Sequence, residues 1–238
     1  MVVFIHGGWW KAAYTLEYGG HLCEALRSAG VATWSLEYRR VGDEGGGFPG
    51  TFADVAAGFD FLTELAKRYA LDLDRVVVAG HSAGGALAFW LAGRQQISPM
   101  SPLYQPQPSH AIRAVVGLAG ALDLRMTIDL AGGEGFAHIR AEVVNFMGGT
   151  PEQFPERYRA GNPGELLPLN VPQIVIQGSA DDEIPEQLPL RWAERGRLHG
   201  EKVAVDLIVG ADHLDIVDPM SDVWPRVQAT IVQATSFK

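Results

Sequence analysis

Hydrophobic and polar positions follow two alternating rhythms along the chain. Short apolar, β-branched runs bounded by Gly or polar residues predict strands at Val2 to Ile5, Val31 to Tyr38, Arg75 to Ala79, Ala114 to Leu118, Gln173 to Gln177 and Lys202 to Val209. Between them, longer patterns predict helices at Tyr14 to Ala29, Phe52 to Tyr69, Ala83 to Gln95, Glu186 to Leu198 and Val223 to Thr235. Strands alternating with helices imply an α/β fold: a mostly parallel sheet of about six strands with helices on both faces. Thr51 and Asp54 form a capping-box pattern ahead of the second helix. Two stretches break the alternation. Ile97 to Ser109, with four prolines, reads as an exposed loop. Residues 121–170 carry one short helix pattern, Phe136 to Met147, among Gly and Pro breaks, and read as a cap-like insertion. No repeat, charge block or linker divides the chain, so residues 1–238 are expected to form a single domain.

Composition narrows the chemistry. With 238 residues, 47% of them hydrophobic and 20% charged, the chain can bury its own core without disulfides or metals. Lys and Arg number 19 against 28 Asp and Glu, and the net charge of −9 repels phosphate backbones and anionic lipid surfaces. Nucleic acid and membrane are therefore not expected partners. The single cysteine, Cys23, offers no internal disulfide, no apolar run is long enough to span a bilayer, and no secretory leader pattern opens the sequence. These features predict a soluble, cytoplasmic protein.

The strongest chemical signal is Gly80-His81-Ser82-Ala83-Gly84, because it falls where a predicted strand gives way to a predicted helix. Such a turn is so sharp that side chains at its glycine positions would collide with neighbouring backbone, and it presents the serine at the carboxyl edge of the sheet. A serine hydroxyl needs a base, and the base needs an orienting group. Of seven histidines, His6, His21 and His81 precede the serine, and His110, His138 and His199 precede the last strand; His213 alone follows it. The acid is expected after the fifth strand, where Asp181, Asp182 and Glu183 stand together; Asp181 is the first choice and Asp182 the second. Asp212 and Asp215 lie too close to His213 in sequence to rank with them. An oxyanion hole needs preorganised N–H donors. One is expected from Ala83, and another from His6-Gly7-Gly8-Trp9-Trp10, with Gly8 and Trp9 as the candidate donors. Trp10, Phe48, His81 and Phe136, with Trp9, are candidate pocket residues. Gly45-Gly46-Gly47-Phe48-Pro49-Gly50 lacks a phosphate-binding ending and reads as a mobile loop beside that pocket.

These residues resemble the α/β-hydrolase superfamily, and within it the small esterases and kynurenine-formamidase-like hydrolases. His6-Gly7-Gly8-Trp9-Trp10 is similar to the formamidase variant of the oxyanion motif, and Gly80 to Gly85 to the nucleophile motif of both groups. Gly178, Asp181 and Ile184-Pro185 resemble the acid loop; His213 to Asp218 resembles the histidine loop, with Leu214 where Phe is usual. The resemblance implies the α/β-hydrolase fold without its usual first two strands, since Val2 to Ile5 begins at the first residues. By the family's strand order, Val31 to Tyr38 becomes an exposed edge, and either a homodimer through it or a cover of some other kind is expected.

The function implied is a serine carboxylesterase acting on small, short-acyl or aryl esters, with no cofactor and no metal. An arylformamidase of the N-formylkynurenine type is the alternative. A non-catalytic binding module of the same fold is a third reading, opposed by the presence of all three triad residues.

Overall fold

The computed structural model describes residues 1–106, 108, 110–130 and 136–236. Residues 107, 109 and 131–135, which fall in the expected loop and insertion, lie outside that set. Six strands form one sheet: β1 (Val2–Ile5), β2 (Thr33–Leu36), β3 (Val76–His81), β4 (Ile112–Leu118), β5 (Gln173–Gly178) and β6 (Val203–Ile208). Their order is β2-β1-β3-β4-β5-β6, and every neighbouring pair runs parallel. The main helices are α1 (Gly20–Ser28), α2 (Gly50–Asp60), α3 (Leu62–Leu65), α4 (Ala83–Gly93), α5 (Leu124–Leu130), α6 (Ala137–Met147), α7 (Pro155–Gly161), α8 (Gln187–Leu198) and α9 (Trp224–Ala234). None of the described helices is long and apolar enough to cross a membrane.

Side chains of a strand alternate between faces, and here the alternation fills two cores. Val3, Ile5, Val76, Val78, Val115 and Val175 point into one, with α2, α4, α6 and α8. Val2, Phe4, Val77, Ala79, Val116, Ile174 and Ile176 point into the other, closed by Leu22 and Leu26 of α1 and Val227 and Ile231 of α9. Burial on both faces explains why these strands read as unbroken apolar runs. Helix α4 is buried along its whole length, which accounts for a composition apolar on every side.

Several sequence expectations are corrected. The second strand is four residues long rather than eight. The pattern at Phe52 to Tyr69 splits into α2 and α3, and the helix begins at Gly50 with no side-chain cap. Thr51 and Asp54 do not form a capping box, because both serve Arg39. Thr51 Oγ1 accepts from Gly47 N–H and donates to the Arg39 carbonyl, while the Asp54 carboxylate holds the Arg39 amide at 2.9 Å and its guanidinium at 2.8 Å. The insertion also carries more helix than expected. Beyond the predicted helix, α5 starts at the Asp123 carboxylate, which accepts from the Arg125 and Met126 amides, and α7 starts on Pro155.

Candidate active site

In a parallel sheet all the strands end at the same edge, so loops far apart in sequence meet there. Ser82 follows β3, the Gly7-Gly8-Trp9 loop follows β1, Asp181 follows β5 and His213 follows β6.

Ser82 has φ 54° and ψ −123°, a conformation that costs a non-glycine residue about 1–3 kcal/mol. Its amide donates to the Leu118 carbonyl at 2.9 Å, and its own carbonyl accepts from the Gly85 and Ala121 amides at 2.9 and 3.1 Å. Those bonds hold the strained turn in place. A Cβ on Gly80 would stand on the Gly84 carbonyl, and one on Gly84 would stand on the Ile5 carbonyl of β1. Both neighbours are backbone and cannot yield, which is the steric reason for the two glycines.

The structure brings Asp181 and His213 together: Nδ1 of His213 lies 2.8 Å from Oδ2 of Asp181. The Asp181 side chain is fully buried. Its Oδ2 also accepts from Gln177 Nε2 at 2.8 Å, and its Oδ1 accepts from the Glu183 and Ile184 amides at 2.9 and 2.8 Å. Burial alone would raise its pKa. The hydrogen bond and charge of His213, with the two amides, outweigh burial and hold the carboxyl below its usual range. The competing acids have other work. Asp182 is exposed, Asp212 accepts from the Leu214 and Asp215 amides, and Asp215 accepts from the Asp212 amide.

A cavity of about 450 Å³ opens over Ser82 and His213. Gly8, Trp9 and His81 of the expected residues line it, joined by Tyr14, Tyr18 and Leu214 and rimmed by Asp182, Glu183 and Asp212. The Gly8 and Trp9 amides donate to no protein acceptor among the described residues, and neither does Ala83. Positive φ at Gly8, Trp9 and Trp10, 99°, 51° and 56°, curls this loop toward the serine. Trp9 reaches across the cavity, its indole N–H donating to Glu183 Oε2 at 2.9 Å. His138 of α6 lies 3.6 Å from the same oxygen.

Three pocket expectations are corrected. Trp10 is fully buried and stacked on Phe146, with ring centroids 4.3 Å apart. Phe136 packs against the core below. Phe48 lines a separate groove, beneath the Arg157 guanidinium. Nor does the Gly-rich loop border the Ser82 cavity; the Phe48 amide ties it to the Phe146 carbonyl at 3.0 Å. Tyr14 and Tyr18 went unforeseen because their segment reads as helix. Tyr18 does lie in a 3-10 turn, Leu16–Gly19, that leads into α1, whereas Tyr14 precedes it on a turn closed by its amide on the Lys11 carbonyl at 3.1 Å. The three acids at the rim were visible in sequence, Asp182 as the second choice for orienting His213 and Asp212 ranked below it, but not as cavity residues.

The sheet order and a carboxylate-imidazole pair beside a serine on a strand-to-helix turn make the molecule an α/β-hydrolase. More narrowly, the chain belongs to the BD-FAE family, which matches residues 1–191. It is similar to a probable isoprenylcysteine alpha-carbonyl methylesterase of Arabidopsis thaliana, 26% identical over 227 residues covering 92% of this chain and 47% of that protein. It is 30% identical over 141 residues to a kynurenine formamidase of Aspergillus versicolor, covering 54% of this chain and 45% of that protein. The chain thus spans about half the length of the curated relatives it matches. Among solved structures, esterase B from Lactobacillus rhamnosis superposes with a TM-score of 0.83 at 17% identity, covering 99% of this chain and 75% of that one. A truncated carbohydrate esterase from gut microbiota gives 0.78 at 18%, covering 99% and 85%. At such identities the likeness is one of fold.

Proposed function

We propose that the protein is a serine carboxylesterase that hydrolyses small, uncharged carboxylic esters through an acyl-enzyme. The observation that carries this reading is the Asp181–His213 pair, 2.8 Å apart, whose histidine opens with the strained Ser82 onto one cavity. In the acylation step Ser82 Oγ bonds to the ester carbonyl carbon while its proton passes to His213 Nε2. Asp181 holds Nδ1–H and stabilises the imidazolium. The carbonyl oxygen, now an anion, accepts from the Ala83 amide and from Gly8 or Trp9. Collapse expels the alcohol, which takes the proton from His213. Water then repeats the sequence on the acyl-enzyme, giving up its proton to His213 and releasing the acid and Ser82.

An arylformamidase is the second reading, favoured by the formamidase relative and the paired tryptophans after Gly7-Gly8. Charge at the rim does not separate the two readings, because N-formylkynurenine is a zwitterion: Asp182, Glu183 and Asp212 suit its ammonium as much as they oppose its carboxylate. The methylesterase relative supports an ester with a small alcohol.

The test is kcat/KM for p-nitrophenyl acetate and N-formylkynurenine in parallel, with Ser82→Ala as the blank. We expect ester turnover that the substitution lowers by at least about 10⁴-fold, and little on the formamide. Preference for the formamide overturns the ester reading, and activity on neither returns the protein to the binding modules.

A further inference from the structure

A buried polar side chain is paired in folded proteins, and the direction of each bond can be deduced from what its partner is able to do. His81 is the last residue of β3 and the immediate neighbour of Ser82, and its side chain is buried. Its Nε2 lies 3.1 Å from the main-chain oxygen of His213. A carbonyl only accepts, so Nε2 carries the hydrogen and the neutral ring leaves Nδ1 as an acceptor. The group facing Nδ1 is the Tyr18 hydroxyl, at 2.9 Å, which must therefore donate. The same hydroxyl oxygen accepts the Gly7 amide hydrogen. One directed run results: Gly7 N–H to Tyr18 O–H to His81, and His81 N–H to the His213 carbonyl.

That run joins three loops through groups that take no part in bond making. It grips the amide just before Gly8 and Trp9, the residue beside Ser82, and the backbone of the residue whose ring must face Ser82. Burial, and then the charge of nearby His213, push the His81 pKa down to about 3, and burial raises the Tyr18 phenol, so both stay uncharged at neutral pH. Neutrality matters because the two imidazole centroids are only 4.6 Å apart, and a charged His81 would oppose the imidazolium formed at His213.

We propose that Tyr18 and His81 are positioning residues, a hydrogen-bonded strut that sets the spacing between the oxyanion loop, Ser82 and His213. The proposal rests on the serine-hydrolase reading for its effect on turnover, but the strut itself can be observed without turnover.

Two measurements test it. The first is kcat and KM on p-nitrophenyl acetate for Tyr18→Phe, His81→Leu, His81→Gln and the double variant Tyr18→Phe/His81→Leu, per serine titrated with diethyl p-nitrophenyl phosphate. We expect kcat to fall roughly 10- to 100-fold in Tyr18→Phe and His81→Leu, as for a small misplacement of reacting groups, with KM within about threefold of the parent. His81→Gln, which keeps a donor for the His213 carbonyl, should recover part of the loss. In the His81→Leu background the Tyr18 substitution should cost less than about a third of its usual factor, because coupled residues are not additive. A kcat per titrated serine within about twofold of the parent in both single variants overturns the proposal, as do fully multiplicative losses. The second measurement is ¹⁵N NMR of the His81 ring, expected to report a neutral ring with its hydrogen on Nε2 from about pH 5 to 8. The opposite tautomer, or a protonated ring, overturns the strut even if Ser82→Ala shows that the hydrolase reading has failed.

Discussion

Asp181 accepts four hydrogen bonds on two oxygens while its side chain is wholly buried, so it has no freedom to rotate away from His213. Asp181→Asn keeps the volume and replaces one acceptor with a donor, which leaves His213 Nδ1 facing the wrong group. We expect kcat on p-nitrophenyl acetate to fall by about 10⁴-fold with the circular dichroism unchanged. A loss under tenfold would move the orienting role to Asp182. Ser82, Asp181 and His213 were singled out from residue type and chain order alone, because the proposed reaction constrains both. The pocket was less so. Trp9 and Trp10 are adjacent and identical in type, yet one lines the cavity and the other stacks in the core. Positive φ at both turns them apart, and bulky residues adopt it so seldom that nothing in the sequence announces it.

The four central strands were legible because they are buried on both faces, and the period of two inside each apolar run sorts their residues into the two cores; the edge strands β2 and β6 are only partly buried. Helix starts were less legible where tertiary partners outcompeted local ones, as Arg39 did for Thr51 and Asp54. Asp123 and Pro155 were readable as start signals for α5 and α7, but both helices have only seven residues, too few for a periodic pattern to stand out. Strand β2 is the terminal strand of the described sheet, as expected, and an open edge leaves backbone donors and acceptors free for another strand. Its four residues, Thr33–Leu36, make a short template. Pairing of two copies along β2 is a proposal that light scattering at micromolar concentration tests. We expect twice the mass of one chain, and a monomer across that range would sink the idea.

Stability of the whole molecule carries the imprint of His81. As pH falls, the unfolded chain takes up a proton at this residue near its ordinary value of about 6.5, whereas the folded chain does not until about 3. Between those values the unfolded state binds more protons, so acidification favours unfolding, by about 1.4 kcal/mol for each pH unit. Above about 6.5 this contribution is complete. Urea unfolding at pH 7.5 and pH 5 should therefore show the parent losing about 2 kcal/mol more than His81→Gln, other groups cancelling in the difference. Equal losses would mean that His81 is protonated in the folded protein.

The bond between His81 and the His213 carbonyl closes a separation of 132 residues. No local segment contains a working site, since the strands that carry Ser82 and His213 become neighbours of one edge only after β4 and β5 have been laid between them. A nascent chain still held on the ribosome short of β6 carries Ser82 without His213. On the proposed esterase reading, ester turnover in a newly made sample counts molecules whose β6 edge is in place, and the rate at which it appears during refolding follows the assembly of that edge.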